Sequence, residues 1–69
     1  MGNRLRVIRA EKKVTQFKLS VATGIIQSRL SLMENDLINP GPEEKQVISN
    51  VLGVRPEEIW TEENQKERR

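Results

Sequence analysis

The sequence has 69 residues, with 12 basic and 10 acidic side chains and a net charge of +2 at pH 7. This length is enough for one small domain. The chain has no cysteine, histidine or tyrosine, which are the usual ligands of zinc, copper and iron and the usual acid–base groups, so we expect no metal, no cofactor and no enzyme activity. The apolar runs are too short to span a bilayer and the N-terminus lacks the apolar block of a secretory signal, so we expect no membrane partner and a cytoplasmic location.

Charge is distributed unevenly along the chain. Residues 1–35 carry seven basic and two acidic side chains, a net charge of +5, whereas residues 36–69 carry five basic and eight acidic ones, a net charge of −3. The first half could therefore face a polyanion that would repel the second half, although an ordinary solvated charge pattern explains the same counts.

The first segment with helical periodicity lies near the N-terminus. Leu5, Ile8 and Arg9 recur at i, i+3 and i+4, which predicts a helix over about residues 3–13 with one stripe facing the core. That stripe includes an arginine, a residue type that is rarely buried without a partner.

Two further short helices are predicted on either side of a glycine. Thr15 can cap a helix over residues 16–23 by accepting a hydrogen bond from a backbone N–H, and Gly24 can end it in the left-handed conformation. A third helix is predicted over about residues 27–35. Its core-facing side carries Leu30, Met33 and Glu34.

The second half of the chain predicts a loop, two helices and a tail. Residues 39–42 read NPGP, a loop whose last proline suits the first turn of a fourth helix over about residues 43–52. The core side of this helix is expected to contain Val47, Ile48, Val51 and Leu52. A fifth helix starts near Pro56 and turns Ile59 and Trp60 inward. Residues 62–69 contain no apolar residue, so we expect a domain over residues 1–61 followed by a disordered tail.

Arg9 and Glu34 each lie on the apolar stripe of their helix. An unpaired buried ion is very costly, and the simplest solution is that the two side chains face each other across the packed helices. We therefore predict an Arg9–Glu34 ion pair, the alternative being two solvated charges at the edge of a small core.

Several short motifs match a known family in both residue type and spacing. They are Arg9, Thr15-Gln16, Gly24, Gln27-Ser28, Glu34-Asn35, Asn39-Pro40 and Leu52-Gly53-Val54. Together they resemble the XRE or Cro-like helix-turn-helix repressors of phages and bacteria, over about residues 3–60. The resemblance implies a compact all-α domain of five helices, with helices 2 and 3 forming the helix-turn-helix. It also implies a repressor-like transcriptional regulator that binds double-stranded DNA as a homodimer.

The third helix presents short, uncharged side chains on the face opposite the core. At helical spacing this face contains Ser28, Ser31, Leu32 and Asn35, with Gln27 and Arg29 at its flanks. Such a face suits the major groove, where a glutamine amide can pair with adenine and an apolar tip can contact a thymine methyl. The resemblance assigns base contacts to Gln27 and Ser28 first, then to Arg29 and Leu32.

Phosphate contacts are expected at the start of the second helix. Its free N–H groups and its dipole favour an anion there, helped by Thr15 and Gln16, while Lys18 adds positive charge. The resemblance adds Asn35 and Asn39 as residues that hold the DNA backbone.

A few positions depart from the family pattern. Ile26 stands where serine or threonine usually caps the third helix, Asp36 stands where glycine usually ends it, and Leu37 and Ile38 replace residues that are often basic. Fewer cations release fewer counterions, so non-specific DNA binding should be weaker and less salt-dependent than in a basic relative.

The sequence contains more apolar residues than the core of a small monomer needs. We expect Phe17 in the core, and we leave Leu37 and Ile38 open between core and partner surface. Ile59 and Trp60 are homodimer candidates, with plain core closure as the alternative. The alternative function is a protein-interaction module, such as an antitoxin, that uses Leu32, Leu37 and Ile38 to hold a partner protein.

Overall fold

In the computed structural model, which describes residues 3–60, the chain forms five α-helices and that range contains no strand. The helices are α1 (Leu5–Glu11), α2 (Gln16–Thr23), α3 (Gln27–Glu34), α4 (Pro42–Leu52) and α5 (Pro56–Ile59). The prediction of an all-α fold with five helices is confirmed. The predicted tail, residues 62–69, lies outside the described residues, as does its boundary with the domain.

Helix α1 is shorter at both ends than the sequence predicted. Its start is fixed by Asn3, whose Oδ1 accepts the N–H of Leu5 at 2.9 Å. Lys13 adopts a positive φ of 61°, a conformation that a continuing right-handed helix does not contain. The chain therefore turns towards α2 before the helix reaches its predicted end.

Helices α2 and α3 are joined by the predicted turn. Thr15 Oγ1 accepts the N–H of Lys18 at 3.0 Å, and Gly24 takes a φ of 80°, so the predicted cap and the predicted glycine end are both confirmed. Ile26, at the start of α3, supplies no side-chain cap. Helix α3 ends at Glu34, one residue earlier than predicted, with Asn35 as its C-cap.

Helix α4 begins at Pro42, one residue earlier than predicted, and Gly53 ends it with a φ of 74°. The prediction that Val51 faces the core is wrong, since this residue is 38% exposed. Ser49 is fully buried instead, and its hydroxyl group is not left without a partner, because Oγ donates a hydrogen bond to the carbonyl of Lys45 at 2.6 Å. The core face of α4 is therefore rotated away from Val51.

One apolar core joins all five helices. It consists of Leu5, Ile8, Leu19, Ile25, Leu30, Met33, Ile48, Leu52, Ile59 and Trp60, with Val14, Ile38, Val47 and Val54 packed at its edge. Helix α2 packs against α3 and α4, and α4 packs against α5. The N–H of Arg4 donates to the carbonyl of Ile59 at 2.9 Å, which ties the start of α1 to the end of α5.

Phe17 is not part of this core. The prediction that it is buried is wrong, because its side chain is 62% exposed. Helix α2 buries Leu19, which lies about 200° around the helix from Phe17. Because the two residues lie on nearly opposite faces of α2, the helix cannot turn both towards the core.

Candidate nucleic-acid interface

Glu34, which is buried at the end of α3, is the centre of a polar cluster that we call the Glu34 cluster (Arg6, Arg9, Gln16 and Glu34). Arg9 donates from Nε to Glu34 Oε2 at 2.7 Å and from Nη2 to Oε1 at 3.2 Å. The side chains of Arg9 and Glu34 are 16% and 1% exposed. Arg9 Nη1 also donates to the carbonyl of Val14 at 3.1 Å. The ion pair expected between these two residues is thus present, and it fixes α3 to α1 and to the segment before α2.

The same carboxylate is connected to the surface through two glutamines. Gln16 donates its amide to Glu34 Oε1 at 3.3 Å, and Gln27 donates its amide to Gln16 Oε1 at 3.2 Å. Each glutamine amide carries two N–H groups and one oxygen. Gln27 therefore keeps one N–H and its oxygen for another partner, and Gln16 keeps one N–H.

The outward face of α3 is polar and mostly uncharged. Gln27, Ser28 and Leu32 are exposed, and Ser31 is half-buried. The remaining N–H and oxygen of Gln27 match the N7 acceptor and N6 donor of adenine. Three of the four residues predicted to contact bases thus lie exposed on one helix.

Arg29, the fourth predicted base contact, binds a carboxylate of its own chain. Its Nε donates to Glu44 Oε2 at 2.7 Å and its Nη2 donates to Glu44 Oε1 at 3.0 Å. The N–H of Gly41 also donates to Glu44 Oε1, at 3.0 Å. These hydrogen bonds, that of Arg29 above all, lower the pKa of Glu44, while Glu44 raises the pKa of Arg29. We call this contact the Arg29–Glu44 pair.

The predicted phosphate-binding residues occupy two places. Thr15, Gln16 and Lys18 lie in the first turn of α2 or just before it, and Thr15 and Lys18 are exposed. Asn35 and Asn39 are exposed after α3. Asn35 is oriented by its own chain, since its Nδ2 donates to the carbonyl of Ser31 at 2.8 Å.

Three residues of this region have roles that the sequence did not reveal. Arg6 donates to Glu34 at 3.5 Å and to Asn35 Oδ1 at 3.2 Å. Asn3 donates to the carbonyl of Met33 at 2.8 Å and to Asp36 Oδ1 at 3.1 Å. Glu44 holds Arg29. The sequence does mark Glu44 as a first-turn carboxylate, which predicts its capping contact with Gly41 but not its contact with Arg29.

Ile59 and Trp60, the dimer candidates, are fully or almost fully buried in the core of the single chain. Packing within the core of the single chain is sufficient to explain the burial of both side chains. Their contact with a second copy of the chain stays a prediction. Of the two residues left open, Ile38 packs against the core, whereas Leu37 is 69% exposed. Phe17, Val21 and Ile26 are also well exposed.

The described residues offer no group of three or more acidic side chains that could hold a metal ion. Within the same part of the chain, none of the helices has the length and apolar character that a membrane crossing requires.

Comparison with known proteins agrees with this geometry. A family model described as "Helix-turn-helix" matches residues 5–59. The sequence is also 32% identical over 63 residues to a protein named "Immunity repressor protein" from Bacillus phage phi105. That alignment covers 91% of this chain and 44% of the relative, so the chain spans less than half the length of the curated relative it matches. The chain belongs to the XRE/Cro-like helix-turn-helix family that its motifs resemble, with α2 and α3 as the two helices of the motif.

Proposed function

We propose that this chain is a transcriptional regulator that binds double-stranded DNA and reads the major groove with α3. The observation that carries the proposal is that α3 leaves Ser28 and Leu32 exposed on the side opposite its buried Leu30 and Met33. Gln27 is exposed at the flank of the same outward face. A recognition helix has to be rigid and yet present free hydrogen-bonding groups to base edges. Both conditions hold here.

In this proposal, Gln27 is the residue that contributes most to distinguishing one base from another. Its amide is held in place by Gln16, which is held in turn by Glu34. An amide fixed before binding loses less rotamer entropy when it pairs with adenine. Gln16 keeps one N–H that can reach a phosphate, so one chain of hydrogen bonds would set both the register on the DNA backbone and the base contact.

The repressor role and the homodimer belong to the same proposal. A relative named as an immunity repressor supports repression. Two copies related by a twofold axis would place their α3 helices in successive major grooves, about 34 Å apart, and would select a site with two half-sites.

The experiment is a selection of bound duplexes from a random DNA pool, followed by mobility shifts on the selected site. Changing both Gln27 and Ser28 to alanine should weaken specific binding by about ten- to a hundredfold, because a bidentate base contact is worth about 1–3 kcal/mol. Gln46→Ala, in an exposed glutamine of α4, is the matched control and should bind the site as the unchanged chain does. Selection that enriches no sequence would contradict the proposal.

A second candidate function is a protein-interaction module on the same fold. It is favoured by Phe17 and Val21, two exposed apolar side chains one turn apart on α2, since neighbouring exposed apolar residues often mark a partner surface. Salt separates the two functions: binding to DNA weakens steeply as salt is added, whereas binding through apolar side chains does not.

A further inference from the structure

Arg29 is the only cation in α3, and it does not extend freely into solvent. Its guanidinium uses two N–H groups, from Nε at 2.7 Å and from Nη2 at 3.0 Å, to bind both oxygens of Glu44. This fork is the strongest geometry that an arginine and a carboxylate form. The cation best suited to a guanine or a phosphate is thus engaged within the chain.

Glu44 is a firm anchor for this fork. It lies in the first turn of α4, where its Oε1 also accepts the N–H of Gly41 at 3.0 Å. Helix α4 is fixed to the core by Ile48 and Leu52. If Arg29 moved to DNA, two hydrogen bonds would break and Glu44 would be left as an unneutralised anion beside the phosphate backbone.

We propose that Glu44 limits the affinity of the chain for DNA by holding Arg29 away from the duplex, an inference that rests on the proposed function. Recognition then depends on the neutral side chains of Gln27, Ser28 and Leu32, which discriminate between bases but neutralise no phosphate. An arginine released from Glu44 would add a charge contact that is largely independent of sequence. Glu44 therefore favours specific over non-specific binding.

The test measures binding to a mixed-sequence duplex by fluorescence anisotropy at several salt concentrations. Glu44→Gln should bind about three- to tenfold more tightly, and its salt dependence should steepen by about one phosphate contact. Glu43→Gln is the matched control, because it removes the same charge from the neighbouring exposed position and leaves the fork intact. Equal changes in the two variants would overturn the inference, since the effect would then be one of overall charge.

The double variant Arg29→Gln with Glu44→Gln identifies the released group. It should lose the gain of Glu44→Gln and return to within about threefold of the unchanged chain. A double variant that keeps the gain overturns the inference, and so does one that binds about tenfold more weakly than the unchanged chain, because Arg29 would then already contact DNA. If circular dichroism shows that Glu44→Gln is unfolded, Glu44→Asp takes its place, because the shorter side chain moves the carboxylate away from the Arg29 guanidinium. It should change the affinity in the same direction, and Glu44→Asp that binds as the unchanged chain does would overturn the inference.

The outcome for the unchanged chain separates this inference from the proposed function. A chain that binds no duplex at low salt overturns both. A chain that binds and selects a sequence, but responds equally to Glu44→Gln and Glu43→Gln, overturns only the role of Glu44.

Discussion

The Glu34 cluster and the Arg29–Glu44 pair contain the same chemical contact in different surroundings. In both, an arginine Nε lies 2.7 Å from a glutamate Oε2. The side chains of Arg9 and Glu34 are 16% and 1% exposed, whereas those of Arg29 and Glu44 are 42% and 26% exposed. Water screens the second pair and hardly reaches the first. The two contacts share one Nε–Oε2 distance and differ in burial. We therefore expect the fold to depend on the first contact and DNA binding to respond to the second.

The largest expected effect tests the buried side of this comparison. Arg9→Met should lower the free energy of unfolding by about 3 kcal/mol, because Glu34 would stay buried with only Gln16 and the distant Nε of Arg6 as donors. Urea denaturation followed by circular dichroism measures the change.

Two controls sharpen this result. Arg6→Met removes a cation whose side chain is 62% exposed and whose Nε is 3.5 Å from Glu34, so its effect should be far smaller. Combining Arg9→Met with Glu34→Leu should restore part of the loss, since no unpaired ion then remains buried. Equal losses for Arg9→Met and Arg6→Met would mean that burial does not distinguish the two contacts.

A second, smaller effect concerns Asp36, which follows the Glu34 cluster. Asp36 and Lys13 both have a φ of 61°, a conformation in which glycine is less strained than other residues. Lys13→Gly should raise the free energy of unfolding by about 1 kcal/mol. Asp36→Gly should gain less, because it also removes the oxygen to which Asn3 donates.

Thermal unfolding of both glycine variants gives the comparison. The difference between them measures how much the Asn3–Asp36 hydrogen bond adds to the attachment of α1 to α3. An Asp36→Gly gain as large as that of Lys13→Gly would show that this hydrogen bond contributes nothing.

The sequence predicted the buried half of the comparison and missed the exposed half, for a physical reason. Arg9 and Glu34 interrupt apolar stripes, and an ion on such a stripe needs a partner, so each residue points to the other. Arg29 and Glu44 lie at the surface, where several carboxylates would serve equally well. Which of them Arg29 meets depends on the path of residues 35–41, and no periodicity encodes that path.

The wrong predictions of which residues are buried have a similar origin. Helical spacing predicted that Leu5, Ile8, Leu30 and Met33 are buried, because each has apolar neighbours in register. For Phe17 the prediction relied on its residue type, whereas Val51 met the same helical spacing and is exposed nonetheless. The packing angle of each helix decides such borderline positions. In α4 the packing angle places Ser49 in the core and Val51 at the surface. Ser49 tolerates burial because its hydroxyl donates a hydrogen bond within its own helix.

The smallest expected effect tests the exposed side of the comparison by acid. Hydrogen bonds from Arg29 and Gly41 lower the pKa of Glu44 below its ordinary value of 4.5. A group whose pKa is lower in the folded state stabilises the fold above its unfolded pKa and loses that contribution as the pH falls through the folded pKa. The unchanged chain should therefore have a slightly higher Tm than Glu44→Gln at neutral pH, and the difference in Tm should disappear below about pH 4.5.

Glu43→Gln, which leaves both hydrogen bonds to Glu44 in place, should show no difference in Tm that disappears in this way. A difference that stays constant into acid would mean that the charge of Glu44 adds nothing to its hydrogen bonds. In that case the attraction between the charges of Arg29 and Glu44 would add nothing to stability, and the Arg29–Glu44 pair would be held by hydrogen bonds alone.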